Sequence, residues 1–419
     1  MVQELIYSAQ EMIALEDRHG AHNYHPLPVV LSRGEGVHVW DVDGKHYYDF
    51  LSAYSAVNQG HCHPKIVGAL IEQAQKLNLT SRAFHNDILG HYEKFMTELF
   101  GYDKILPMNT GVEAVETAVK LARRWGYEVK GIEANTAKVI VLEGNFHGRT
   151  MTAVSASGDA DSRINYGPYL DGFIRIPYND LAALAIAAND PSVCGFLVEP
   201  IQGEAGVVVP DADYLPTAFE ICQKNNILFI ADEVQTGIAR TGKMLCIDNY
   251  GVHADILILG KAVSGGVYPV SAVLANNEIM LTIKPGQHGS TYGGNPTACA
   301  VALAAMQVVL DEKLAENSVY LGKIFRKRMN ALKKRCPELI SLVRGMGLLN
   351  AVVINDTEDS KTAWNICLKL AENGLLAKPT HGNIIRFAPP LVMTEEEMED
   401  CCTIIEKTFL TGNWSELFL

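Results

Sequence analysis

Two short apolar runs, each followed closely by one polar residue, constrain the fold of this chain more than any other feature. The runs are residues 227–231 and 256–259, and the polar residues are Asp232 and Lys261. Continuous apolar runs of this length are typical of parallel strands that are buried on both faces. Because ligands sit at the carboxyl ends of the strands in such sheets, we expect Asp232 and Lys261 to face the same crevice.

A lysine and an aspartate in one crevice are the pair that pyridoxal phosphate chemistry requires. A lysine amine in a partly desolvated pocket condenses with an aldehyde to form a Schiff base. A carboxylate beside a pyridine nitrogen keeps that nitrogen protonated. Taken singly, Asp232 could cap a turn and Lys261 could be a solvated loop residue. Their shared position at the ends of predicted strands, with Gly265 and Gly266 shortly after the lysine, favours the catalytic interpretation.

The overall composition excludes some classes of partner. The chain has 419 residues, of which 48% are hydrophobic and 20% charged, as in an ordinary globular protein of two or three domains. The formal net charge is −13. Such an acidic balance argues against binding to nucleic acid or to an anionic membrane.

The cysteines indicate a reducing compartment. There are nine, an odd number, and none forms a C-x-x-C pair. We therefore expect a cytoplasmic protein, or a mitochondrial matrix protein if a presequence was removed. The triplet His-Cys-His at 61–63 has no second ligand cluster at a suitable spacing, so no metal site is predicted. The longest apolar stretch, 298–310, is too short to span a bilayer and predicts a buried helix.

The N-terminal part predicts a small module. A capping box at 8–11 should open a helix. Residues 36–50 then alternate apolar with polar around an Asp-Gly pair, which predicts a hairpin. Tyr24 and Tyr54 lie in the loops on either side of this hairpin. Each could orient a ligand or simply pack in the core.

A second capping box marks a helix that could bind an anion. Thr110 and Glu113 have the spacing of this motif, and Gly111 follows the capping threonine. A helix that starts with Thr-Gly presents free backbone N–H groups and the positive end of its dipole. Phosphate binding is one interpretation, and a well-capped helix without a ligand is the other.

The middle of the chain alternates buried strands with helical patterns. The apolar run 138–142 leads into a glycine-punctuated loop that contains Phe146 and Arg149, residue types suited to ring stacking and carboxylate recognition. The run 195–198 leads into a segment that contains Glu204. Strands that recur in this way with helices between them predict a doubly wound α/β sheet.

Residues 237–243 match the spacing of a nucleotide-binding P-loop, but the next residue is Met244. Methionine cannot supply the hydroxyl that a P-loop places on magnesium, so nucleotide binding is not predicted. The glycine-rich segment 288–296 contains Ser290 and Thr291, which could donate to a phosphate or belong to a mobile loop.

The C-terminal part predicts a strand, strand, strand, helix order of α+β type. The three predicted strands lie in 344–353, 374–380 and 383–393, and a capping box at 394–397 should open the last helix. Arg386 lies within the third strand. An unpaired guanidinium would be costly there, so we expect a partner carboxylate or a substrate carboxylate nearby.

With these motifs in place, residues 24–410 resemble the class III pyridoxal-phosphate aminotransferases of fold type I. The most specific part of the family signature is Asp-Glu-Val-Gln-Thr-Gly at 232–237, followed by Gly-Lys at 260–261. Three longer segments resemble the members of this family that act on ornithine. They are 199–207, 279–296 and 375–391.

The resemblance implies a fold of two domains. A large domain, residues 55–312, would contain a mostly parallel doubly wound sheet and bind the cofactor. A smaller α+β domain would be built from the N-terminal segment 1–54 and the C-terminal segment 313–419.

The resemblance also implies the cofactor, pyridoxal 5'-phosphate, and the residues that hold it. Lys261 would carry the Schiff base and move the proton, and Asp232 would hold the pyridinium. Gln235 would contact the ring hydroxyl, and Phe146 would stack on the ring. The phosphate would be bound by the backbone of Gly111 and Val112, together with Ser290 and Thr291 of the partner subunit. This last contact implies a homodimer with shared active sites.

The implied substrates are L-ornithine and 2-oxoglutarate, converted by a ping-pong mechanism to glutamate 5-semialdehyde and L-glutamate. Tyr24 and Arg149 would hold the α-carboxylate and α-amino group of ornithine, and Tyr54 would belong to the same substrate site. Arg386 would anchor a carboxylate of 2-oxoglutarate. Glu204 would mask this arginine while ornithine is bound.

Other functions remain as alternatives at this stage. A sister aminotransferase would use N-acetylornithine or 4-aminobutyrate. An aminomutase of the glutamate-semialdehyde type would keep the fold and the lysine but release no keto acid. A binding module without catalysis would predict the loss of Lys261 or Asp232, and both are present.

Overall fold

The computed structural model describes residues 8–412 and Trp414. The strands are β1 Leu31–Glu35, β2 His38–Asp41, β3 His46–Asp49, β4 Lys104–Met108, β5 Lys138–Leu142, β6 Phe173–Ile176, β7 Val193–Val198, β8 Leu228–Asp232, β9 Ile256–Leu259, β10 Ser271–Ala275, β11 Ile340–Met346, β12 Leu349–Ile354, β13 Leu375–Leu376, β14 Lys378–Thr380 and β15 Ile384–Phe387.

The helices alternate with these strands along the chain. They are α1 Ala9–His19, α2 Ser52–Ser55, α3 Pro64–Lys76, α4 Leu89–Phe100, α5 Gly111–Trp125, α6 Met151–Ala156, α7 Ala160–Arg163, α8 Leu181–Ala188, α9 Tyr214–Lys224, α10 Asn277–Met280, α11 Pro296–Asp311, α12 Leu314–Arg335, α13 Thr362–Glu372 and α14 Glu395–Thr411. Among the described residues, no helix is long and apolar enough to cross a membrane.

A seven-stranded sheet forms the centre of the molecule. Its strand order is β4-β10-β9-β8-β7-β5-β6, and all strands run parallel except β10, which is antiparallel to both of its neighbours. The strands β7, β8 and β9 are buried along their whole length. The expectation of an α/β protein with a mostly parallel sheet is therefore confirmed.

Two smaller sheets lie beside the central one. The first is antiparallel, with the order β11-β12-β15-β14, and the second has the order β1-β2-β3-β13. In the second sheet β13, from near the C-terminus, pairs in parallel with β3 of the N-terminal hairpin. We propose that residues 1–54 and 313–419 form the small domain and residues 55–312 the large domain. The pairing of β13 with β3 supports this division.

The three capping boxes expected from the sequence are all formed, at Ser8, Thr110 and Thr394. Each capping side chain accepts a hydrogen bond from the backbone of the third helical residue, and the glutamate there reaches back to the cap. These helix starts are local features, which is why a sequence pattern suffices to locate them.

The small domain differs from the expected strand order in two places. The segment 344–353 is not one strand but part of the β11–β12 hairpin, which reverses at Gly347 with a φ of +54°. A Cβ atom there would come within 2.6 Å of the carbonyl oxygen of Arg240, so only glycine fits this turn. The helix α13 was also not expected, and its N-cap residue, Lys361, makes no side-chain cap. A capping side chain is the pattern by which a helix start is recognised in a sequence, and this helix lacks one.

A buried arginine holds the small antiparallel sheet against the large domain. Arg240 is fully buried, and its guanidinium donates to the carbonyl oxygens of Leu348 and Pro389 and to the side chain of Asn58. Burial lowers its pKa to about 9, although the negative charge of Asp49 acts in the opposite direction. This contact positions the small sheet at the carboxyl end of the large one, where the candidate site lies.

The residues after β3 form a left-handed turn. Ser52, Ala53, Tyr54 and Ser55 have φ values of 50°, 46°, 60° and 70°. Left-handed backbone costs an L-residue about 1–2 kcal/mol, and such strain concentrates at functional sites. The turn carries Tyr54 into the neighbourhood of Arg386.

We predict that Ala53→Gly leaves the free energy of unfolding unchanged or raises it by up to about 1 kcal/mol. Loss of the Cβ atom relieves the steric cost of the left-handed conformation and adds about 0.5–1 kcal/mol of backbone entropy loss. The control is Ala331→Gly at an exposed position of α12, where the same change should lower stability by about 1 kcal/mol. Unfolding in denaturant measures both, and an equal loss at the two positions would contradict the prediction.

Candidate active site

Asp232 and Lys261 lie in one cavity at the carboxyl ends of β8 and β9, as the sequence predicts. The volume of this cavity is about 180 Å³. Its lining consists of Gly111, Val112, Val115, Phe146, His147, Gly148, Glu199, Asp232, Val234, Gln235, Thr236 and Lys261.

Lys261 is prepared to react as a neutral amine. It follows Gly260 at the end of β9 and has a φ of 45°, so it is strained like the four residues of the turn 52–55. Burial lowers the pKa of its ammonium group, although the carboxylates of Glu204, Asp232 and Glu199 act in the opposite direction. A lowered pKa increases the fraction of nucleophilic amine near neutral pH.

Asp232 forms a buried pair with His147. The Oδ2 atom of Asp232 lies 2.7 Å from Nδ1 of His147, and its Oδ1 atom accepts a hydrogen bond from the backbone of Val234 at 3.1 Å. Burial by itself would lower the pKa of His147, but the hydrogen bond to Asp232 and the charges of Asp232 and Glu199 outweigh it, so the pKa is raised. The protonated, positively charged form of His147 is therefore favoured beside the carboxylate of Asp232.

Glu199 connects this pair to the aromatic residue of the site. It lies just beyond β7, and its Oε2 atom accepts a hydrogen bond from the backbone N–H of Phe146 at 2.9 Å. Burial raises the pKa of Glu199 to about 7, and the charge of Asp232 adds to the effect while His147 opposes it. Neither His147 nor Glu199 was singled out from the sequence. The signal that could have found them is their position next to strand ends that face the crevice.

The helix α5 presents its N-terminus to the cavity. Its capping box occupies the N–H groups of Thr110 and Glu113, whereas those of Gly111 and Val112 have no intrahelical acceptor. A Cβ atom on residue 111 would come within 2.9 Å of Val234, so glycine is required at this position. Two free N–H groups at the positive end of a helix dipole suit a phosphate group.

An ion pair closes the other end of the site. Nη1 of Arg386 lies 2.7 Å from Oε1 of Glu204 and also donates to the carbonyl oxygen of Gly203 at 3.3 Å. Gln235 donates to the same carboxylate oxygen of Glu204 at 3.1 Å. Burial tends to raise the pKa of Glu204, but Arg386 and Gln235 outweigh it and lower the pKa. The partner carboxylate that the sequence predicts for Arg386 is Glu204, whose side chain is 29% exposed.

Of the three remaining substrate candidates, Tyr54 and Tyr24 lie near this end and Arg149 lies beside Phe146. The guanidinium of Arg386 lies 4.8 Å from the ring centroid of Tyr54. Tyr24 is 70% exposed and lies near enough for its charge to contribute to the raised pKa of Tyr54, for which burial is the larger cause. Arg149 is exposed, lies 5.5 Å from the ring centroid of Phe146, and forms no ion pair among the described residues. Such an arginine is available for a substrate carboxylate.

Ser290 and Thr291 do not line the cavity of their own chain. The Oγ atom of Ser290 accepts hydrogen bonds from Nδ2 of Asn109 at 2.9 Å and from the backbone of Gly293 at 3.0 Å, and Thr291 is exposed. Both residues therefore lie near the start of α5 without reaching the free N–H groups of Gly111 and Val112.

The groups in the cavity match the parts of pyridoxal phosphate. A desolvated amine, Lys261, is available for the aldehyde, and the carboxylate of Asp232 for the ring nitrogen. Phe146 provides an aromatic face, and the N-terminus of α5 provides a place for the phosphate. The buried Nε2 atom of His147 has no hydrogen-bond partner among the described residues, which leaves a donor or acceptor free inside the site.

Comparison with known proteins gives consistent results. The pattern of the Aminotransferase class-III family matches residues 19–409. The mitochondrial ornithine aminotransferase of Drosophila melanogaster is 61% identical over 408 residues, which cover 97% of this chain and 92% of the fly protein. The crystal structure of an acetylornithine aminotransferase from Elizabethkingia anophelis is 63% identical, with a TM-score of 0.89 over 97% of this chain and 100% of that one. An ornithine aminotransferase structure from Toxoplasma gondii, described as having partial occupancy of PLP at its active site, is 49% identical, with a TM-score of 0.94 over 97% and 95% of the two chains.

We predict that Glu199→Gln flattens the pH dependence of stability. The folded-state pKa of Glu199, about 7, is above the unfolded value of 4.5, so this group stabilises the fold at low pH and the contribution is lost as pH rises through 7. Between about pH 5 and pH 8 the free energy of unfolding of the wild type should fall by roughly 1–3 kcal/mol more than that of the variant. Denaturant unfolding across this range measures it, with Glu220→Gln on the exposed face of α9 as the control. Parallel curves for wild type and Glu199→Gln would show that the carboxyl group does not titrate in this way.

Proposed function

The chain belongs to the class III aminotransferase family, and we propose that it transfers the δ-amino group of L-ornithine to 2-oxoglutarate, giving glutamate 5-semialdehyde and L-glutamate. Its cofactor is pyridoxal 5'-phosphate, which when bound withdraws electrons from the substrate carbon that loses a proton. The observation that carries the substrate assignment is the Arg386–Glu204 ion pair beside the cavity that contains Lys261. A masked carboxylate anchor suits an enzyme that must accept a diamine in one half-reaction and a dicarboxylate in the other.

Lys261 performs the proton transfer. Its amine would hold the cofactor through the aldehyde group, and as the free amine it would accept the proton that the substrate carbon loses and, as the ammonium ion, return it. A lysine with a lowered pKa suits both roles, because it is a nucleophile as the free amine and an acid as the ammonium ion.

The residues around the cofactor hold it in place and set its charge. Asp232, supported by His147, would keep the ring nitrogen protonated. Phe146 would stack on the ring, and Gln235 would contact the ring hydroxyl. The N–H groups of Gly111 and Val112 would bind the phosphate, together with Ser290 and Thr291 of the partner subunit. The enzyme in this proposal is a homodimer with shared active sites.

The substrate site distinguishes the two half-reactions by charge. In the first, Tyr24 and Arg149 hold the α-carboxylate and α-amino group of ornithine, so that the distal amine reaches the cofactor. Glu204 stays on Arg386 and neutralises it during this step. In the second, a carboxylate of 2-oxoglutarate takes the place of Glu204 on Arg386, which presents the keto carbon to the cofactor.

The most specific alternative is an acetylornithine aminotransferase, the activity for which the Elizabethkingia anophelis protein is named. N-acetylornithine has the same distal amine and α-carboxylate as ornithine but a blocked α-amine. A 4-aminobutyrate aminotransferase would act on a substrate with no α-amino group to place on Tyr24 and Arg149. An aminomutase would return the amine to the same molecule and release no keto acid.

The cellular compartment is proposed from the cysteines and the relatives. All nine cysteines are free, in keeping with a reducing compartment. The Drosophila melanogaster relative is named as a mitochondrial protein. We propose the mitochondrial matrix or the cytoplasm.

Absorbance spectroscopy of the purified holoenzyme tests the function. L-ornithine alone should rapidly remove the band of the bound cofactor, and 2-oxoglutarate should restore it. N-acetylornithine and 4-aminobutyrate should act at least about tenfold more slowly. Lys261→Ala should show neither response, because it lacks the amine that binds the cofactor and moves the proton. A faster response to N-acetylornithine or 4-aminobutyrate than to ornithine would assign the chain to a sister enzyme.

We predict that Glu204→Ala changes the preference between amino donors. Without the carboxylate, Arg386 is free to bind glutamate, so the rate of the glutamate half-reaction relative to that of ornithine should rise roughly tenfold, equivalent to about 1.4 kcal/mol. Stopped-flow absorbance with each donor measures the ratio. Glu143→Ala, which removes an exposed carboxylate close to the site, is the control and should leave the ratio unchanged. An unchanged ratio in Glu204→Ala would refute the masking.

A further inference from the structure

The proposed function requires Glu204 to leave Arg386 once in every catalytic cycle. This carboxylate is largely buried, and its hydrogen-bond partners are Arg386 and Gln235. A buried charge that loses its partner is destabilised by several kcal/mol. If the proposed function holds, Glu204 therefore needs a second position when a dicarboxylate takes its place on Arg386.

A row of basic residues crosses the small antiparallel sheet at the level of Arg386. In the register of this sheet, Arg344 of β11 is opposite Ala351 of β12, Ala351 is opposite Arg386 of β15, and Arg386 is opposite Lys378 of β14. Residues directly opposite each other on neighbouring strands have their side chains on the same face. Three of the four residues in this row are therefore cations on one face of the sheet.

This face packs against the segment that carries Glu204. Ala351 and Ile384 belong to one apolar cluster with Ile201 and Val207 of that segment. Nε of Arg344 donates to the carbonyl oxygen of Gly206 at 2.9 Å. Together with the contact of Arg386 to Gly203, these contacts place the segment 201–207 along the basic row.

The basic row has more positive than negative charge. Glu204 pairs with Arg386, whereas Arg344 and Lys378 form no ion pair among the described residues. Lys378 is half-buried, and its Nζ makes no hydrogen bond in that part of the chain either. Burial lowers the pKa of Lys378, the positive charge of Arg386 lowers it further, and Glu204 acts in the opposite direction. Lys378 is thus close enough to both members of the pair to respond to their charges.

Lys378 is better placed than Arg344 to receive a carboxylate. It lies on the strand next to that of Arg386, about 4.8 Å away, whereas Ala351 and its strand separate Arg344 from Arg386. The guanidinium of Arg344 is also held by its bond to Gly206. A lysine has a flexible stem and three donors, so it can follow a moving carboxylate.

We propose that Lys378 is the second partner of Glu204, which accepts an ion pair with this lysine when a substrate carboxylate occupies Arg386. Lys378 is a positioning residue, because it acts on the substrate through Glu204. It lowers the free energy of the state in which Arg386 is open. Its removal therefore impairs the half-reaction of glutamate and 2-oxoglutarate and leaves the ornithine half-reaction unchanged.

The two half-reactions of the holoenzyme are measured separately by stopped-flow absorbance, with ornithine or glutamate as the only donor. Lys378→Met should slow the glutamate half-reaction roughly tenfold, through a weaker apparent affinity for glutamate, and change the ornithine half-reaction less than about twofold. Lys378→Arg should behave as wild type. The control, Lys369→Met on α13, removes a lysine whose side chain is 45% exposed and pairs with Glu372, and it should leave both half-reactions unchanged.

A double variant distinguishes an action through Glu204 from a direct attraction of the substrate. In the Glu204→Ala background there is no carboxylate to receive, so adding Lys378→Met should have no effect on the glutamate half-reaction. An equal loss in both backgrounds would mean that Lys378 attracts glutamate directly and would overturn the proposal. So would an unchanged glutamate half-reaction in Lys378→Met, or a parallel loss in both half-reactions.

Failure of the proposed function would look different. In that case wild-type enzyme would not respond to ornithine and would use another amine donor, such as N-acetylornithine. The glutamate comparison between wild type, Lys378→Met and the double variant could still be made, with that donor in place of ornithine as the reference half-reaction. The two conclusions therefore stand or fall on separate measurements.

Discussion

The ion pair between Arg386 and Glu204 is the contact on which the substrate site depends, because it joins the small antiparallel sheet to a loop of the large domain. Removing one member of a buried pair costs about 3–5 kcal/mol. This cost comes from the charge that is left without a partner, so a substrate carboxylate displaces Glu204 readily only if both charges remain compensated. The basic row that continues from Arg386 to Lys378 supplies that compensation on the neighbouring strand.

Burial acts on the charged groups of the cavity in two opposite ways. Lys261 and Glu199 form no ion pair among the described residues, and burial outweighs the opposite charges nearby, so each pKa shifts to favour the neutral form. His147 and Glu204 each have a hydrogen-bonded partner of opposite charge. The pKa of His147 is raised and that of Glu204 is lowered, so the charged form of each is favoured. The site thus combines a reactive amine and a titratable carboxyl group with two ion pairs. In the proposed mechanism the Asp232–His147 pair stays formed, whereas the Glu204–Arg386 pair opens when a dicarboxylate binds.

Much of the fold follows from local patterns in the sequence. The capping boxes at Ser8, Thr110 and Thr394 start helices, and the apolar runs that end near Asp232 and Lys261 form buried parallel strands. These features depend on hydrogen bonds and periodicity within a few residues, so they can be recognised without tertiary contacts. The β11–β12 hairpin and the helix α13 could not be recognised in this way. The hairpin turns at Gly347 because of a contact with distant Arg240, and the helix has no side-chain cap.

The sequence by itself determined which chemical groups the site contains, since the amine of Lys261, the carboxylate of Asp232 and the signature around them are present in the chain whatever its fold. Only the tertiary structure decided which groups touch. It brought His147 into hydrogen-bonding contact with Asp232, 85 positions away in the chain. It also placed Lys378 opposite Arg386 on neighbouring strands. The physical reason is that strand register and the packing of one domain on another depend on contacts between residues far apart in sequence, and no local pattern records them.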